Sequence, residues 1–186
     1  VTDCKTQQPV PFSLGAAVPR LGKALTITPS ADCVAIAYRT APEAKALLWV
    51  EPAGTAGKVQ PMLFTQSQAI LARTWIPLQD SPGVRFTYDA TIKVPAGVRP
   101  MMSAENPAAA VDGVWRFTME QKIPSYLMAL AVGDFTFKAI GTRTGVYAEP
   151  SVAGAAASEF AEVESMMEVG EKLYGQYRWG RYDILV

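Results

Sequence analysis

"VRFTYDATIKVP", residues 84–95, alternates apolar and polar side chains over the length of a full strand. The apolar positions share one face of such a strand: Val84, Phe86, Tyr88, Ala90 and Ile92. The opposite positions are mostly polar: Arg85, Thr87, Asp89 and Lys93. Because successive side chains of a strand leave opposite faces, the pattern predicts a strand with one face in the core and one in water.

Similar patterns recur before residue 150. The further predicted strands lie at residues 24–29, 33–40, 114–124, 126–140 and 144–150. Turn-forming residues separate them, as in "SPG" at 81–83 and "PAG" at 95–97. The sequence therefore predicts a mainly β domain at residues 1–150.

The pattern changes after this point. Residues 151–158, "SVAGAAAS", are small, and we interpret them as a linker. Residues 158–175 place apolar side chains three or four apart, which predicts one helix that Ser158 caps and Gly175 ends. "YDILV" at 182–186 indicates a buried strand. Since one helix and one strand cannot bury their own faces, this segment is predicted either to pack on the β domain or to begin a second domain.

Composition excludes several classes of function. The 186 residues carry 17 basic and 17 acidic side chains, so no charge excess indicates a nucleic acid or an anionic membrane as partner. The apolar run at 127–132 is too short to span a bilayer, and no basic segment precedes an apolar run at the start. We therefore expect no membrane segment. No signal peptide is evident, but the chain opens with Val1 and not with Met, so this observation does not decide between an exported and a cytoplasmic protein.

Histidine is absent from the chain. Its absence excludes a Ser-His-Asp triad, a Cys-His pair and a histidine-ligated metal site. Cys4 and Cys33 are the two cysteines, and two thiols alone make an incomplete zinc site. We expect no catalytic and no metal-ligating residue here. The cysteines are either two free thiols, as is usual in the cytosol, or a disulfide of an exported protein.

The segment "TQSQ" at 65–68 begins like a strand, with Gln66 and Gln68 expected on the same face. Two amides side by side are a poor choice for a core, because each has four hydrogen-bonding capacities to satisfy. From the residues alone, we interpret them as a structural pair that bridges two sheet edges. Arg73 and Asp80 are expected to form a surface ion pair, with Asp80 capping a turn near Pro82.

Five stretches together resemble one known family, in its order and spacing. They are "TQSQAILARTWIPLQDSPGVRFTYDATIKVP" (65–95), "MSAEN" (102–106), "IPSYLMALAVGDF" (123–135), "IGTRTGVYAEP" (140–150) and "YRWGRYDILV" (177–186). Over residues 34–186 the chain resembles the leukotriene-A4 hydrolase branch of the HExxH zinc aminopeptidases, peptidase family M1.

The resemblance implies a saddle-like N-terminal β domain of mixed and antiparallel sheets, followed by the start of a thermolysin-like catalytic domain. Residues 1–150 would be the β domain, and residues 151–186 would be a linker plus the first helix and strand of the truncated catalytic domain. The family's HExxH segment is absent. The zinc, as cofactor, and the peptidase chemistry would therefore belong to the missing catalytic domain of a longer parent, and this chain alone is expected to be inactive.

The resemblance also changes the interpretation of the amide pair. It implies that Gln66, Ser67 and Gln68 reach into the substrate cleft and contact the N-terminus of a peptide substrate. The implied function is the cleft-forming part of an aminopeptidase, and the family branch adds epoxide hydrolysis as a second activity to test. The implied location is cytoplasmic by family default, or periplasmic or exported if Cys4 and Cys33 are bridged. The alternative function is a free-standing, non-catalytic β-sandwich that binds a ligand or a partner protein.

Overall fold

The computed structural model describes residues 1–28 and 32–186, and its regular structure is mainly β, as predicted. The strands are β1 Thr2–Asp3, β2 Phe12–Val18, β3 Gly22–Ile27, β4 Val34–Ala35, β5 Leu47–Val50, β6 Met62–Thr65, β7 Arg85–Ile92, β8 Arg99–Met102, β9 Trp115–Pro124, β10 Leu130–Gly133, β11 Thr136–Ala139, β12 Thr144–Ala148 and β13 Tyr182–Leu185. The α-helices are α1 Ala153–Glu159 and α2 Val163–Tyr174. Single 3-10 turns lie at Pro52–Gly54, Ala72–Thr74 and Ser125–Leu127.

A ribbon of β7 and β9 carries the largest core cluster. The two strands pair antiparallel from Arg85, opposite Pro124, to Ile92, opposite Trp115. Exposure alternates residue by residue along β7, which confirms the half-buried strand predicted from its sequence. Its inward face covers a buried cluster that consists of Met102, Phe117, Met119, Ile123 and Met128.

The central sheet has the strand order β5-β6-β10-β8, and every neighbouring pair is antiparallel. Ala131 of β10 lies opposite Phe64 of β6 on one side and opposite Met101 of β8 on the other. The sequence prediction of one strand at 126–140 is wrong, because a 3-10 turn and two strands occupy that stretch. No predicted strand covers β1, β2, β5 or β8, and the strand-like start predicted at residue 65 overlaps β6 only at Thr65.

The third sheet joins the end of the β region to the C-terminal segment. Its order is β11-β12-β13, with β11 antiparallel and β13 parallel to β12. A parallel pair needs a crossover connection, and α1 and α2 supply it. Every residue of β12 is buried, and α1 packs on it through Ala153 and Ala156. Phe137 covers Gly145 of β12 so closely that a Cβ there would overlap the ring.

The helical segment differs from its prediction. Most of the predicted linker, residues 153–158, belongs to α1, because alanine favours the helix and the small side chains fit against β12. Ser158 lies inside α1, where its hydroxyl donates to the carbonyl oxygen of Gly154, so it does not cap the predicted helix. The helix continues only from Val163, after a break, and Gly175 with φ +92° ends it as expected.

The N-terminal strands stand apart from these sheets. β1 pairs with β4, and β2 pairs with β3 as a hairpin. The strand predicted at 33–40 is limited to Val34–Ala35. The strand predicted at 24–29 is shifted to Gly22–Ile27, and the prediction for Pro29 lies outside the described residues.

Candidate functional site

The loop that carries the predicted substrate-binding residues starts where β6 leaves the central sheet. The sequence pattern predicted Gln66 and Gln68 on one face of a strand. This prediction is wrong, because β6 ends at Thr65 and both residues lie in the loop. The backbone N–H of Gln66 still donates to the carbonyl oxygen of Ala46 at 2.9 Å. The loop therefore leaves the sheet from a fixed point beside β5.

The two glutamine side chains have different environments. The Oε1 atom of Gln66 accepts a hydrogen bond from the backbone N–H of Gln68 at 2.9 Å, which folds the loop into a tight turn. The peptide bond between Gln68 and Ala69 is cis. Both side chains are exposed, and within residues 1–28 and 32–186 the amide of Gln68 has no protein hydrogen-bond partner. The Gln68 amide is thus presented to solvent with its donors and acceptor free.

Ser67 points the other way. Its side chain is 2% exposed, and its hydroxyl accepts a hydrogen bond from the indole N–H of Trp75 at 3.2 Å. Its backbone carbonyl oxygen accepts from Leu71 at 2.9 Å. Ser67 therefore anchors the loop to the 3-10 turn at Ala72–Thr74, while the glutamines on either side face outward.

A buried carboxylate supports this turn from behind. Asp80 is 6% exposed, and its Oδ2 atom accepts from the backbone N–H of Arg73 at 3.0 Å and from Nε of Arg73 at 3.1 Å. Its Oδ1 atom accepts from the hydroxyl of Ser125, which is fully buried. The predicted surface ion pair is wrong in its location, since Asp80 faces inward and connects the turn to the end of β9. Ser125 lies 45 positions further along the chain, so no local sequence pattern indicates that Asp80 is buried against it.

A second charged network joins α2 to the third sheet. Nη1 and Nη2 of Arg143 each donate to one carboxylate oxygen of Glu171 at 2.8 Å. Glu171 also accepts from the backbone N–H of Tyr177 at 2.9 Å. Glu164 accepts from the hydroxyls of Thr142 and Thr144 at 2.9 and 2.7 Å. These contacts set the position of α2 and of the segment that follows it.

The same bonds stabilise the ionised form of Glu171. The hydrogen bonds from Arg143, and then the one from the N–H of Tyr177, lower its pKa from 4.5 to about 2. The pKa of Glu164 is lowered too, mainly by the hydroxyl of Thr144. A depressed folded-state pKa means that the contribution is complete above about pH 4.5 and is lost as the pH falls from there towards 2.

We therefore expect Glu171→Gln to destabilise the chain at neutral pH and to matter progressively less below pH 4.5. The measurement is chemical denaturation of the wild type and the variant at a series of pH values from 7 down to the acid limit of folding. Glu159→Gln, an exposed carboxylate at the end of α1, is the matched control. A difference between wild type and Glu171→Gln that stays constant with pH would contradict the assignment.

A large cavity lies away from the glutamine loop. It has a volume of about 960 Å³ and is formed by α2 and the segment that follows it, with Phe160, Met167, Tyr177 and Trp179 among its lining residues. The outer face of α2 is apolar and exposed, as shown by Met166, Val169, Leu173 and Tyr174. The lining of this cavity also includes polar residues such as Glu162, Gln176 and Arg178, and it includes no residue of the glutamine loop.

Two further features of the described residues concern metals and membranes. Across residues 1–28 and 32–186, no group of three or more Cys, Asp or Glu side chains is placed to hold a metal ion. In the same part of the chain, no helix is long and apolar enough to cross a membrane.

Comparisons with known proteins show which family the chain is similar to. The family model of the "Peptidase M1 N-terminal domain" matches residues 28–127. Aminopeptidase B of Rattus norvegicus is 40% identical over 186 residues, covering 96% of this chain and 28% of that protein. The structure of native leukotriene A4 hydrolase from Saccharomyces cerevisiae has 33% identity and a TM-score of 0.87, and covers 97% of this chain and 29% of that one.

A more distant structure shares the fold alone. The M1 zinc metallopeptidase from Deinococcus radiodurans, bound to a Tyr-Ser-Ala substrate, has 19% identity and a TM-score of 0.57 over 67% of this chain and 31% of that one.

The chain belongs to the M1 peptidase family and contains the N-terminal domain of that family at residues 28–127, which confirms the resemblance found in the sequence. It spans 28% of the length of the rat aminopeptidase B that it matches.

Proposed function

We propose that this chain forms one wall of the substrate cleft in a zinc aminopeptidase that removes N-terminal amino acids from peptides. The observation that carries the proposal is the exposed amide of Gln68, which has no hydrogen-bond partner among the described residues and lies on an anchored loop in an M1 N-terminal domain. The rat relative is an aminopeptidase, and the D. radiodurans relative is a zinc metallopeptidase that binds a short peptide. We extend peptidase activity and peptide binding from these relatives to the parent of this chain as part of the proposal. Both properties favour a substrate cleft over a free-standing binding module.

The chemistry of the loop suits a peptide N-terminus. An amide accepts from an ammonium group and donates to a peptide carbonyl, so Gln68 can contact either. It is uncharged, and so it does not compete with a carboxylate for the substrate amine. Gln66 has one oxygen lone pair committed to the turn and contributes its NH2 group, while Ser67 positions the pair through Trp75. We assign direct contact to the glutamines and a positioning role to Ser67.

We place the zinc outside this chain. The residues present do not fit a zinc site, because the sequence lacks histidine and the described residues hold no cluster of ligands. The zinc ligands and the general base belong to the parent's remaining residues. Within this chain, α1, α2 and β13 form the proposed start of the catalytic domain, after a β domain at 1–150. The exposed apolar face of α2 and the 960 Å³ cavity beside it are the proposed contact surface for the rest of that domain.

We also propose that the protein functions in an oxidising compartment, such as the periplasm or the cell exterior. Cys4 and Cys33 are joined by a disulfide, with their Cα atoms 5.5 Å apart. Structural disulfides persist where thiols are not kept reduced, so the bridge favours export over the cytoplasm.

Metal removal tests the proposed activity. The full-length parent is expected to hydrolyse an aminoacyl anilide, to lose that activity on dialysis against a chelator and to regain it with zinc. The 186-residue chain alone is expected to show no turnover and no stoichiometric zinc in metal analysis. Chelator-resistant turnover by the parent, or zinc-dependent turnover that purifies with this chain, would contradict the proposal.

A further inference from the structure

The segment at the N-terminus is weakly attached to the rest of the fold. Every residue of β2 is exposed, and Phe12 and Leu14 are 54% and 59% exposed. β1 and β4 share only two paired positions, Thr2 with Ala35 and Asp3 with Val34. Across the described residues, the hairpin of β2 and β3 makes one hydrogen bond beyond residue 35, from Nη1 of Arg73 to the carbonyl oxygen of Leu21 at 3.4 Å. Non-covalent contacts therefore contribute little to holding it.

A covalent bond closes the base of this hairpin. Cys4 and Cys33 flank it on either side, 29 positions apart, and the backbone N–H of Cys4 donates to the carbonyl oxygen of Cys33 at 3.3 Å. Cys33 is exposed and Cys4 is half-buried, so a reductant in solution can reach the bridge. A disulfide stabilises by limiting the conformations of the unfolded chain, and its effect grows with the length of the loop it closes, here 29 positions.

We propose that the Cys4–Cys33 disulfide is a redox-controlled tie that decides whether the N-terminal hairpin stays folded. A thiolate of a dithiol reductant attacks one sulfur and forms a mixed disulfide, and the second reductant thiol then releases it. Two electrons pass from the reductant to the bridge, both cysteines take up protons, and the reductant leaves as its own disulfide. Oxidation by a disulfide-bearing oxidoreductase reverses each step.

The redox state of the disulfide then controls how well the protein resists proteolysis, and it does not control catalytic activity. The contact of Arg73 with Leu21 is long, and the bonds that hold the glutamine loop do not pass through the hairpin. Reduction of the disulfide therefore opens the hairpin and leaves the glutamine loop at residues 66–68 in place. Proteases need an opened segment, so the reduced protein becomes a substrate for cleavage while the oxidised protein resists it. The device would confine the folded protein to an oxidising environment.

Limited trypsin digestion of the full-length protein, with cleavage sites followed by mass spectrometry, tests the tie. Arg20 and Lys23 are exposed sites within the hairpin, and Lys93 is an exposed reference site just after β7. Reduction is expected to raise cleavage after Arg20 and Lys23 by about a hundredfold, from the loop-closure effect of a bridge of this span. Cleavage after Lys93 should not change. Equal cleavage rates in the hairpin before and after reduction would overturn the proposal.

The double variant Cys4→Ser/Cys33→Ser is the matched control. It is expected to be cleaved in the hairpin at the rate of the reduced wild type and to be insensitive to reductant. A double variant as resistant as the oxidised wild type would overturn the proposal. So would peptide mapping that finds Cys4 and Cys33 alkylated as free thiols in protein purified from an oxidising compartment. Aminopeptidase activity, measured in parallel, should be the same in both redox states, so the outcome does not depend on the proposed function.

Discussion

Asp80→Ala is expected to lower the free energy of unfolding by about 3–5 kcal/mol, the usual effect of removing one partner of a buried charged pair. The carboxylate accepts from Arg73 twice and from Ser125 once. Alanine leaves the hydroxyl of Ser125, which is fully buried, and the backbone N–H of Arg73 without an acceptor. It also leaves a guanidinium that is only 26% exposed without its counter-charge. The measurement is chemical denaturation of the chain alongside wild type.

Ser125→Ala is the graded control for this prediction. It removes one donor and leaves both contacts of Arg73 with Asp80, so a smaller loss of about 1–2 kcal/mol is expected. Asp134→Ala, at a half-buried carboxylate between β10 and β11, controls for loss of an acidic residue. If Asp80→Ala costs no more than Asp134→Ala, the pair behaves as the solvated surface pair that its sequence suggested.

Gln68→Leu, in the full-length parent, is expected to reduce kcat/KM by roughly ten- to a hundredfold. Leucine keeps the approximate volume and removes the donors and the acceptor, and a hydrogen bond to a charged group contributes about 1.5–3 kcal/mol. The melting temperature should barely change, because the amide makes no protein hydrogen bond among the described residues and is exposed. The measurement is kcat/KM together with the melting temperature for the same preparation.

Gln8→Leu is the matched control, since this glutamine is also exposed and its backbone is paired with Asp3 in the N-terminal segment. Gln66→Leu is informative in a different way, because it removes the acceptor that folds the turn and should affect both activity and loop stability. An unchanged kcat/KM for Gln68→Leu, or a large loss of stability with full activity per folded molecule, would refute the binding role and restore the structural bridge.

The sequence predicted β7 well because its information is local. A period of two places Phe86, Tyr88 and Ile92 on one face whatever the partner strand is, and β9 supplies that partner. The short strands were missed for the opposite reason. β8 is four residues long and is defined by pairing with β10, about thirty positions further along the chain, which no local pattern encodes.

The candidate site, too, could be predicted from the sequence only in part. The residue types of "TQSQ" indicated a polar contact, and the family resemblance indicated its target. The direction of each side chain depends on where β6 ends, which its neighbours β5 and β10 decide. Ser67 turns inward towards Trp75, and Asp80 is buried against Ser125. Both arrangements depend on tertiary packing, so the sequence pattern did not predict them. The alanine-rich α1 could have been predicted from helix propensity, had its small residues not also suited a linker.

The parallel pairing of β12 with β13 has a mechanical consequence. The pairs run from Thr144 with Tyr182 to Tyr147 with Leu185, and the N–H of Val186 adds a bond to the carbonyl oxygen of Tyr147. A pull between the start of β12 and the end of β13 loads these bonds in shear, all at once, and does not unzip them one by one. Force applied at the C-terminal end of the chain is therefore transmitted to the buried strand β12 and to the β sheets around it.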